Sequence, residues 1–266
     1  MAQVTLRSDM LDREATRFEP MALGQPLFLN SIPKSGSHLL RNILRMFIPL
    51  DQQYDRQFIQ WPNLAQHLAA FDPRRNYMSF GHLFFGDMAA IHLTAVRKIL
   101  LVRDPYDWVL ARARFYLSDE FSDNLDQLKD PRLPIEDLLS IMIFGMGTKV
   151  PSLRDMYELN VVGWLASSVH VVRYEQLVFH ANNLASAESK AYFTTLLSAC
   201  GIDRLPDDWA DRVTTGSDRR QSATARENLT GAHGRVPDVL SSGHRLSVDY
   251  AAPQLRSLLG YHEVNP

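Results

Sequence analysis

The stretch LFLNSIPKSGSHLLRNILRMF, residues 27–47, decides the fold of this chain. It begins with a short apolar run, passes through a Pro-Lys-Ser-Gly-Ser turn at residues 33–37, and continues with apolar residues at helical spacing. These apolar residues are Leu39, Leu40, Ile43, Leu44 and Phe47. A stripe with a period of 3.6 residues predicts an amphipathic helix. The stretch therefore predicts a buried strand, a tight turn and a helix that begins at the turn.

The turn contains residue types that bind phosphate. Backbone N–H groups at the start of a helix, and the positive end of its dipole, favour an anion placed there. Lys34 adds a full charge, Gly36 lets the backbone approach closely, and the hydroxyls of Ser35 and Ser37 can donate hydrogen bonds. The triphosphate loop has a different glycine and lysine spacing, so this shorter loop suits a single phosphate. An N-capped helix with a surface lysine is the plainer alternative.

Two further apolar runs are typical of buried parallel strands, KILLVR at residues 98–103 and VHVVRY at residues 169–174. A helical stripe of Leu153, Tyr157, Val161 and Trp164 precedes the second of them. The alternation predicts an α/β fold with a central parallel sheet flanked by helices and a P-loop-like phosphate-binding strand-turn-helix. Ligands are expected beyond the carboxyl ends of the strands.

Length and composition favour one globular domain over residues 1–266. The chain has 45% apolar and 22% charged residues, and its 28 basic and 30 acidic residues give a net charge of -2. No nucleic acid or membrane partner is therefore expected. The single cysteine, Cys200, excludes an internal disulfide and is compatible with a reducing compartment, so a cytoplasmic location is the default expectation.

Two segments are expected to lie outside the core. Residues 1–20 mix charges of both signs and lack the apolar centre of a secretory signal, which predicts a surface arm. Residues 216–245 include a polar, arginine-rich tract, which predicts a long loop that either covers a ligand site or is solvated. The longest uncharged apolar run, residues 138–147, is shorter than the roughly 20 residues of a membrane-spanning helix.

Four elements, in order along residues 27–231, resemble one family. IPKSGSHLL at residues 32–40 resembles a Pro-Lys-Ser-Gly-Thr/Ser turn, and LLVRDPYDWVLARARFY at residues 100–116 resembles a strand that ends in Arg before an Asp-Pro turn. VVRYEQL at residues 171–177 resembles a Tyr-Glu-Asp-Leu element, and RENLTG at residues 226–231 keeps the Arg and last Gly of an Arg-Lys-Gly-x-x-Gly loop. The set resembles the cytosolic-type sulfotransferases that use 3'-phosphoadenosine 5'-phosphosulfate (PAPS), in a divergent, bacterial-like form.

The resemblance implies transfer of a sulfuryl group from PAPS to a hydroxyl or amine of a small-molecule or glycan acceptor. Lys34 would stabilise the leaving phosphate oxygen, and Arg103 would bind the donor's 3'-phosphate. The implied nucleotide-binding residues are Lys34, Ser35, Gly36, Ser37, His38, Arg103, Tyr174 and Arg226. Because a sulfuryl group carries less charge than a phosphoryl group, no metal is expected.

The family's base is a histidine, usually written Lys-x-His, and the matching segment here is NYMSFGHLFFGD at residues 76–87. His82 is therefore the expected general base, since imidazole has the unperturbed pKa closest to neutral pH. His67 and His92 are the fallback candidates, and a packed structural histidine is the plainer alternative. Phe84, Phe85, Trp61 and Tyr54 are candidates for lining an acceptor pocket.

Several positions depart from the family pattern. Phe80 replaces the auxiliary lysine, Ala111 replaces the serine at the 3'-phosphate, and Leu39 replaces the tryptophan that stacks on adenine. Glu227 and Asn228 replace the Lys-Gly pair of the last loop. Arg112, directly after Ala111, either reaches the 3'-phosphate or faces solvent. These departures keep open a catalytically silent nucleotide-binding relative that acts as a regulatory or scaffold protein. A nucleoside-phosphate kinase is disfavoured because the triphosphate loop is absent.

Overall fold

The computed structural model describes residues 10–54, 58–118, 125–218, 220 and 235–261, together with the backbone of residues 3–4 and 121–122. The strands are β1 (Gln3–Val4), β2 (Leu27–Ser31), β3 (Ile59–Gln60), β4 (Met78–His82), β5 (Arg97–Val102), β6 (Phe121–Ser122) and β7 (His170–Arg173). The α-helices are α1 (Leu11–Ala15), α2 (Ser37–Arg45), α3 (Asp87–His92), α4 (Pro105–Leu117), α5 (Ile135–Phe144), α6 (Leu153–Tyr157), α7 (Gly163–Leu165), α8 (Tyr174–Ala181), α9 (Ala187–Cys200), α10 (Trp209–Ser217), α11 (Ser242–Ala251) and α12 (Leu255–Leu258). Short 3-10 segments cover Leu50–Gln52, Trp61–Phe71 and Asp126–Lys129, and a π-helical turn covers Glu158–Val162.

The chain divides into two compact units. The first unit comprises Met1–Ser8, Arg103–Glu158 and Ala223–Pro266, and the second comprises Asp9–Val102 and Leu159–Ser222. The prediction of a single domain over residues 1–266 stays a prediction. None of the helices in the described part of the chain is both long and apolar enough to cross a membrane.

The second unit contains a five-stranded parallel sheet in the order β3-β4-β2-β5-β7. The three strands predicted from sequence are present as β2, β5 and β7, each within one residue of the expected bounds. All five residues of β2 are buried, which agrees with a central strand covered on both faces. Because the strands are parallel, the carboxyl ends of β2, β4, β5 and β7 lie at the same edge of the sheet.

The core of the second unit lies between the sheet and the helices that pack on it. Helix α2 buries Leu40, Ile43 and Leu44, three members of the predicted apolar stripe. Gly216 of α10 lies so close to Ile43 that an added β-carbon would come within 2.5 Å of the Ile43 α-carbon. The close packing of α10 on α2 therefore depends on glycine at this position.

The second predicted helical stripe is confirmed as a buried set, but its helix changes from α to π geometry and back. Leu153 and Tyr157 lie in α6, Val161 lies in the π-helical turn, and Trp164 lies in α7. All four side chains are at most 1% exposed. A π-helical turn adds a residue to the local repeat, and the apolar spacing alone did not indicate it.

Two segment predictions need correction. Residues 10–20 are not a surface arm, because Leu11 is fully buried and Phe18 is only 9% exposed, and both belong to the core of the second unit. Residues 216–245 are not all loop, since α10 continues to Ser217 and α11 begins at Ser242. Residues 219 and 221–234, which include most of the arginine-rich tract and Arg226, lie outside the described residues.

The first unit contains the helices α4, α5, α6, α11 and α12 and the antiparallel pair β1-β6. Arg112 of α4 is 5% exposed, and its guanidinium donates a hydrogen bond to the carbonyl of Met142 in α5 at 3.0 Å. It also lies 4.9 Å from the centre of the Trp108 ring. Arg112 thus connects two helices from a buried position, so the alternative in which it faces solvent is wrong. Its Nη1 group is hydrogen-bonded to the Met142 carbonyl within the first unit.

Candidate active site

The turn after β2 has the conformation of a tight anion loop. Lys34 has a positive φ of 68°, a conformation uncommon outside glycine, and Gly36 has a φ of 91°. The carbonyl of Gly36 accepts hydrogen bonds from the amides of Leu39 and Leu40 at 2.9 and 3.3 Å, so α2 starts directly after the turn. Positive φ at a non-glycine residue costs free energy and often marks a functional position.

The ring of Tyr174 closes one side of this turn. Tyr174 is the first residue of α8, directly after β7, and a β-carbon added to Gly36 would meet Cδ2 and Cε2 of its ring. Position 36 therefore requires glycine for two independent reasons, its φ angle and this ring. Tyr174, one of the predicted nucleotide-binding residues, therefore lies against the turn at residues 33–37, here called the phosphate-type turn.

The two serines of the turn have different roles. Ser35 is fully buried, and its hydroxyl donates to the carbonyl of Ile32 at 2.7 Å. This differs from the expectation that the Ser35 hydroxyl binds phosphate, because its proton closes the turn instead. Ser37 is partly exposed, and its hydroxyl oxygen lies 2.7 Å from that of Ser31 at the end of β2.

The remaining groups of the turn fit an anionic phosphate. Within the described part of the chain, the amides of Gly36 and Ser37 form no backbone hydrogen bond, as is usual for the first N–H groups of a helix. They point into the region where the α2 dipole is positive, and Lys34 supplies a formal charge. The turn can therefore hold one phosphate through its backbone, one lysine and one serine hydroxyl.

His82 lies beside this turn because of the sheet register. It is the last residue of β4, which pairs with β2 so that Asn30 lies opposite Gly81. Nδ1 of His82 lies 2.9 Å from the backbone carbonyl oxygen of Ser31 and 3.1 Å from the Ser31 hydroxyl. The sequence predicted this histidine for the site, and the structure brings it next to the residues that precede the turn.

The hydrogen bond to the Ser31 carbonyl determines the state of the ring. A carbonyl oxygen can only accept, so Nδ1 carries the proton in neutral His82, and Nε2 carries the lone pair. Burial lowers the pKa of His82 to about 4, with the bond to Ser31 opposing this change and the positive charge of Lys34 adding to it. His82 is therefore neutral near pH 7, which a general base requires.

The ring of Phe58 packs against three neighbouring rings, one of which is His82. Its ring centre lies 4.8 Å from that of His82, 4.5 Å from that of Phe80 and 5.3 Å from that of His38. The guanidinium carbon of Arg41, one turn along α2 from Ser37, lies 3.8 Å from the centre of the Phe80 ring. Sequence reasoning missed Phe58 and Arg41, because neither lies in a motif and only the fold brings them to β4.

The segment after His82 is held in place by three hydrogen bonds at Leu83. The Asn30 side chain accepts from the Leu83 amide at 2.9 Å and donates to its carbonyl at 3.1 Å. Nε1 of Trp164 donates to the same carbonyl at 2.9 Å. Both Asn30 and Trp164 are buried. They therefore fix the backbone next to the histidine, and an asparagine within an apolar strand is the signal that could have indicated this.

The aromatic residues proposed for an acceptor pocket separate into two groups. Trp61 is 44% exposed and Phe85 is 38% exposed. Phe85 belongs to the segment that follows His82, and the Trp61 ring lies beside Gly86 of the same segment. Phe84 is partly exposed. Tyr54, in contrast, is buried and its hydroxyl lies 2.8 Å from Nδ1 of His67. Tyr54 lines a cavity of ≈ 480 Å³ with Tyr77, which precedes β4, so this pair lies at the other end of that strand.

The two fallback histidines differ from His82 in their surroundings. His67 is 7% exposed and paired with Tyr54, as expected for a structural histidine. His92 is partly exposed at the end of α3. Within the described residues, no group of three or more His, Cys, Asp or Glu side chains has the arrangement of a metal site.

In the first unit, Arg103 directly follows the last residue of β5 in sequence, and its carbonyl accepts a hydrogen bond from the Tyr157 hydroxyl at 2.8 Å. The next residue, Asp104, accepts from the amide of Tyr106 at the start of α4 and forms an ion pair of 2.9 Å with Arg256. The backbone around Arg103 is thereby fixed on both sides. Arg226, the other predicted 3'-phosphate ligand, lies outside the described residues.

Comparison with known proteins supports the fold. The sequence matches no protein-family model and no curated protein. The structure is similar to the crystal structure of mouse sulfotransferase SULT7A1 complexed with PAP, with a TM-score of 0.55 and 16% sequence identity over 93% of this chain and 90% of that chain. At this identity the likeness is one of fold. The predicted α/β architecture is thus confirmed, and the chain has a sulfotransferase-like fold.

Proposed function

We propose that this protein is a sulfotransferase that moves a sulfuryl group from PAPS to a hydroxyl or amine of a small-molecule or glycan acceptor. The observation that carries the proposal is the position of His82, whose Nδ1 lies 2.9 Å from the carbonyl oxygen of Ser31. Ser31 is only a few residues before the turn that contains Lys34 and Gly36. A phosphate-type turn and a neutral histidine at one sheet edge provide an anion site beside a base.

In this proposal the turn holds the 5'-phosphate of the nucleotide. The donor supplies an activated sulfuryl group and a phosphate leaving group. The amides of Gly36 and Ser37 and the Ser37 hydroxyl would bind phosphate oxygens, while the positive charge of Lys34 would offset the negative charge that grows there. The ring of Tyr174 would help to hold the turn in the conformation described, because it packs against Gly36.

His82 would accept the proton of the attacking hydroxyl or amine at Nε2. Its Nδ1 proton stays with the Ser31 carbonyl, which fixes the orientation of the ring. The exposed side chains of Trp61 and Phe85 are the candidates for contact with the acceptor. A likeness to a sulfotransferase structure with bound PAP is consistent with a nucleotide of the adenosine 3',5'-bisphosphate type.

The 3'-phosphate is assigned to Arg103 and Arg226 by sequence resemblance. Affinities for adenosine 3',5'-bisphosphate and for adenosine 5'-phosphate test this assignment by titration calorimetry. Arg226→Ala should remove most of the preference for the 3'-phosphorylated nucleotide. An intact preference in that variant would exclude the late loop from the nucleotide site.

Turnover with PAPS labelled in its sulfuryl group tests the proposed activity. A panel of phenols, alcohols, amines and glycans serves as acceptors, and the products are labelled acceptor and adenosine 3',5'-bisphosphate in equal amounts. Nucleotide binding without transfer to any acceptor would favour the second candidate, a silent nucleotide-binding relative. The low pKa of His82 is the observation that favours this candidate, since it makes the imidazole a weak base.

A further inference from the structure

Ser31 connects the phosphate-type turn with His82. Its side chain is 2% exposed and lies at the end of β2, before the motif that resembles the sulfotransferase turn. The Ser31 hydroxyl oxygen lies 2.7 Å from the Ser37 hydroxyl oxygen and 3.1 Å from Nδ1 of His82. It also lies 3.2 Å from the carbonyl oxygen of Gly81. One buried hydroxyl therefore contacts the candidate phosphate ligand and the candidate base together.

Only three protons are available to this cluster, one on each of the Ser31 and Ser37 hydroxyls and one on Nδ1 of His82, and this number restricts which hydrogen bonds can form together. The Gly81 carbonyl can only accept, so the Ser31 hydroxyl donates either to it or to Ser37. The Nδ1 proton of His82 goes to the Ser31 carbonyl at 2.9 Å and is within reach of the Ser31 hydroxyl oxygen. When Ser31 donates to Gly81, the Ser37 proton fills one of the two lone pairs on the Ser31 oxygen.

A phosphate bound at the turn would change this arrangement. The charge of a phosphate oxygen makes it a better acceptor than a serine hydroxyl, so Ser37 would turn its proton toward it. The Ser31 hydroxyl would then donate to Ser37, and the lone pairs of Ser31 would be available to the Nδ1 proton of His82. A stronger hydrogen bond at Nδ1 fixes the ring and makes Nε2 a better proton acceptor.

We propose that Ser31 is a positioning residue whose hydroxyl couples phosphate binding at Ser37 to a second hydrogen bond at Nδ1 of His82, beside the bond to the Ser31 carbonyl. The inference rests on the proposed function for the identity of the anion. The sheet register supports it, because the pairing of Asn30 with Gly81 places the next residues of the two strands, Ser31 and His82, side by side. Lys34 is the charged group that acts on His82, and Ser31, Gly81 and Phe58 are its neutral neighbours.

The coupling is measurable at the imidazole nitrogens of His82. Protein labelled with ¹⁵N-histidine is titrated with adenosine 3',5'-bisphosphate at constant pH, and His82→Asn identifies the His82 signals among the nine histidines. Calorimetry on the same samples records binding. The variants are Ser31→Ala, which removes the hydroxyl, and Ser31→Thr, which keeps it. Ser79→Ala is the control, because Ser79 is an equally buried strand serine whose hydroxyl lies 3.5 Å from the Leu27 carbonyl, at the other end of β2.

We expect the nucleotide to shift the His82 nitrogen signals in the wild type, in Ser31→Thr and in Ser79→Ala, and to leave them nearly unchanged in Ser31→Ala. With PAPS and an acceptor, Ser31→Ala should lose about tenfold in kcat with little change in the KM for the donor. A folded Ser31→Ala protein with the wild-type shift would overturn the inference. So would a Ser31→Thr protein that binds the nucleotide without the shift.

The result also separates this inference from the proposed function. Nucleotide binding to the wild type without a His82 shift contradicts the coupling and leaves the proposed activity standing. A His82 shift without transfer to any acceptor contradicts the activity and supports the coupling. A wild-type protein that does not bind the nucleotide contradicts both.

Discussion

The ring of Tyr174 lies directly against Gly36, and an alanine β-carbon at position 36 would come within 2.5 Å of Cε2 of this ring. The contact joins the end of β7 to the turn after β2, two strands that are separated by β5 in the sheet. This contact explains why position 36 of the turn tolerates only glycine. Any nucleotide phosphate held there would be held by a backbone of fixed conformation.

Gly36→Ala should therefore lower both stability and nucleotide affinity. A non-glycine residue at a φ of 91° and a blocked β-carbon together should cost at least about 2 kcal/mol of unfolding free energy. Urea unfolding measures the first effect and calorimetry with adenosine 3',5'-bisphosphate measures the second. Gly147→Ala is the matched control, since Gly147 has a φ of 54° and nothing within 4 Å of an added β-carbon. Equal costs at the two positions would show that the Tyr174 ring is unimportant.

Lys34→Ala should abolish most turnover while the protein stays folded. The Lys34 charge is expected to act on the leaving oxygen, and loss of such a donor typically costs about 10²- to 10³-fold in kcat. Steady-state kinetics and circular dichroism measure the two quantities. Lys190→Ala, at an exposed lysine of α9, controls for the loss of one positive charge. Near-normal kcat in folded Lys34→Ala would remove this lysine from the mechanism.

His82→Asn should depress kcat and leave nucleotide affinity nearly unchanged, because in the proposed mechanism the ring accepts the acceptor's proton and is not a phosphate ligand. The same variant tests the lowered pKa of the ring. Since the pKa of folded His82 is about 4 and an unfolded histidine titrates near 6.5, the unfolded state binds this proton first as the pH falls.

The stability that neutral His82 gives is therefore complete above pH 6.5 and is lost as the pH falls toward 4. In urea unfolding at a series of pH values, the wild type should lose stability across this window more steeply than His82→Asn. Parallel curves for the two proteins would contradict the assignment of a lowered pKa.

Trp164→Phe should reduce stability and, more weakly, turnover. It removes the hydrogen bond from Nε1 to the Leu83 carbonyl, which also accepts from Asn30 and so keeps one partner. The lost bond and the smaller ring should cost about 2 kcal/mol. Trp209→Phe is the control, because Trp209 is a buried tryptophan whose Nε1 makes no hydrogen bond to any described residue. Identical kcat values for the two variants would show that the hydrogen bond to the Leu83 carbonyl does not affect the orientation of His82.

Arg112→Ala should destabilise the protein by about 2–4 kcal/mol and leave the preference for the 3'-phosphorylated nucleotide unchanged. The reason is that Arg112 is buried and hydrogen-bonded to the Met142 carbonyl. Arg103→Ala should show the opposite pattern, with a weaker preference and a smaller loss of stability. Calorimetry with the two nucleotides and urea unfolding give both quantities. Loss of the preference in Arg112→Ala would return this residue to the nucleotide site.

The sequence predicted the parts of the site that depend on local patterns. The strand and helix around Lys34 follow from an apolar run, a Gly-containing turn and a stripe of period 3.6, all within one segment. His82 was predicted from the resemblance of its neighbours in sequence to the family's histidine segment, and its role stays a prediction. Strand β4 itself was not predicted, since its residues Met78–His82 mix Ser and Gly with apolar side chains.

The other contacts could not be predicted, because they join residues that are distant in sequence. Ser31 and His82 meet through the register of β2 with β4, and Tyr174 reaches Gly36 from the end of another strand. Of the two alternatives left open for Arg112, solvent exposure is wrong, because the helical position after Ala111 gives a direction but does not predict the neighbouring helix α5, which covers it. Pairwise register and helix packing are properties of the whole fold.

A crystal structure with adenosine 3',5'-bisphosphate is the most direct test of the central proposal, that the turn after β2 holds the 5'-phosphate of the nucleotide next to His82. We predict the 5'-phosphate oxygens within hydrogen-bond distance of Lys34 Nζ, the Gly36 and Ser37 amides and the Ser37 hydroxyl, with Nε2 of His82 facing the same space. A nucleotide bound elsewhere, or one whose 5'-phosphate makes no contact with residues 34–37, would contradict it.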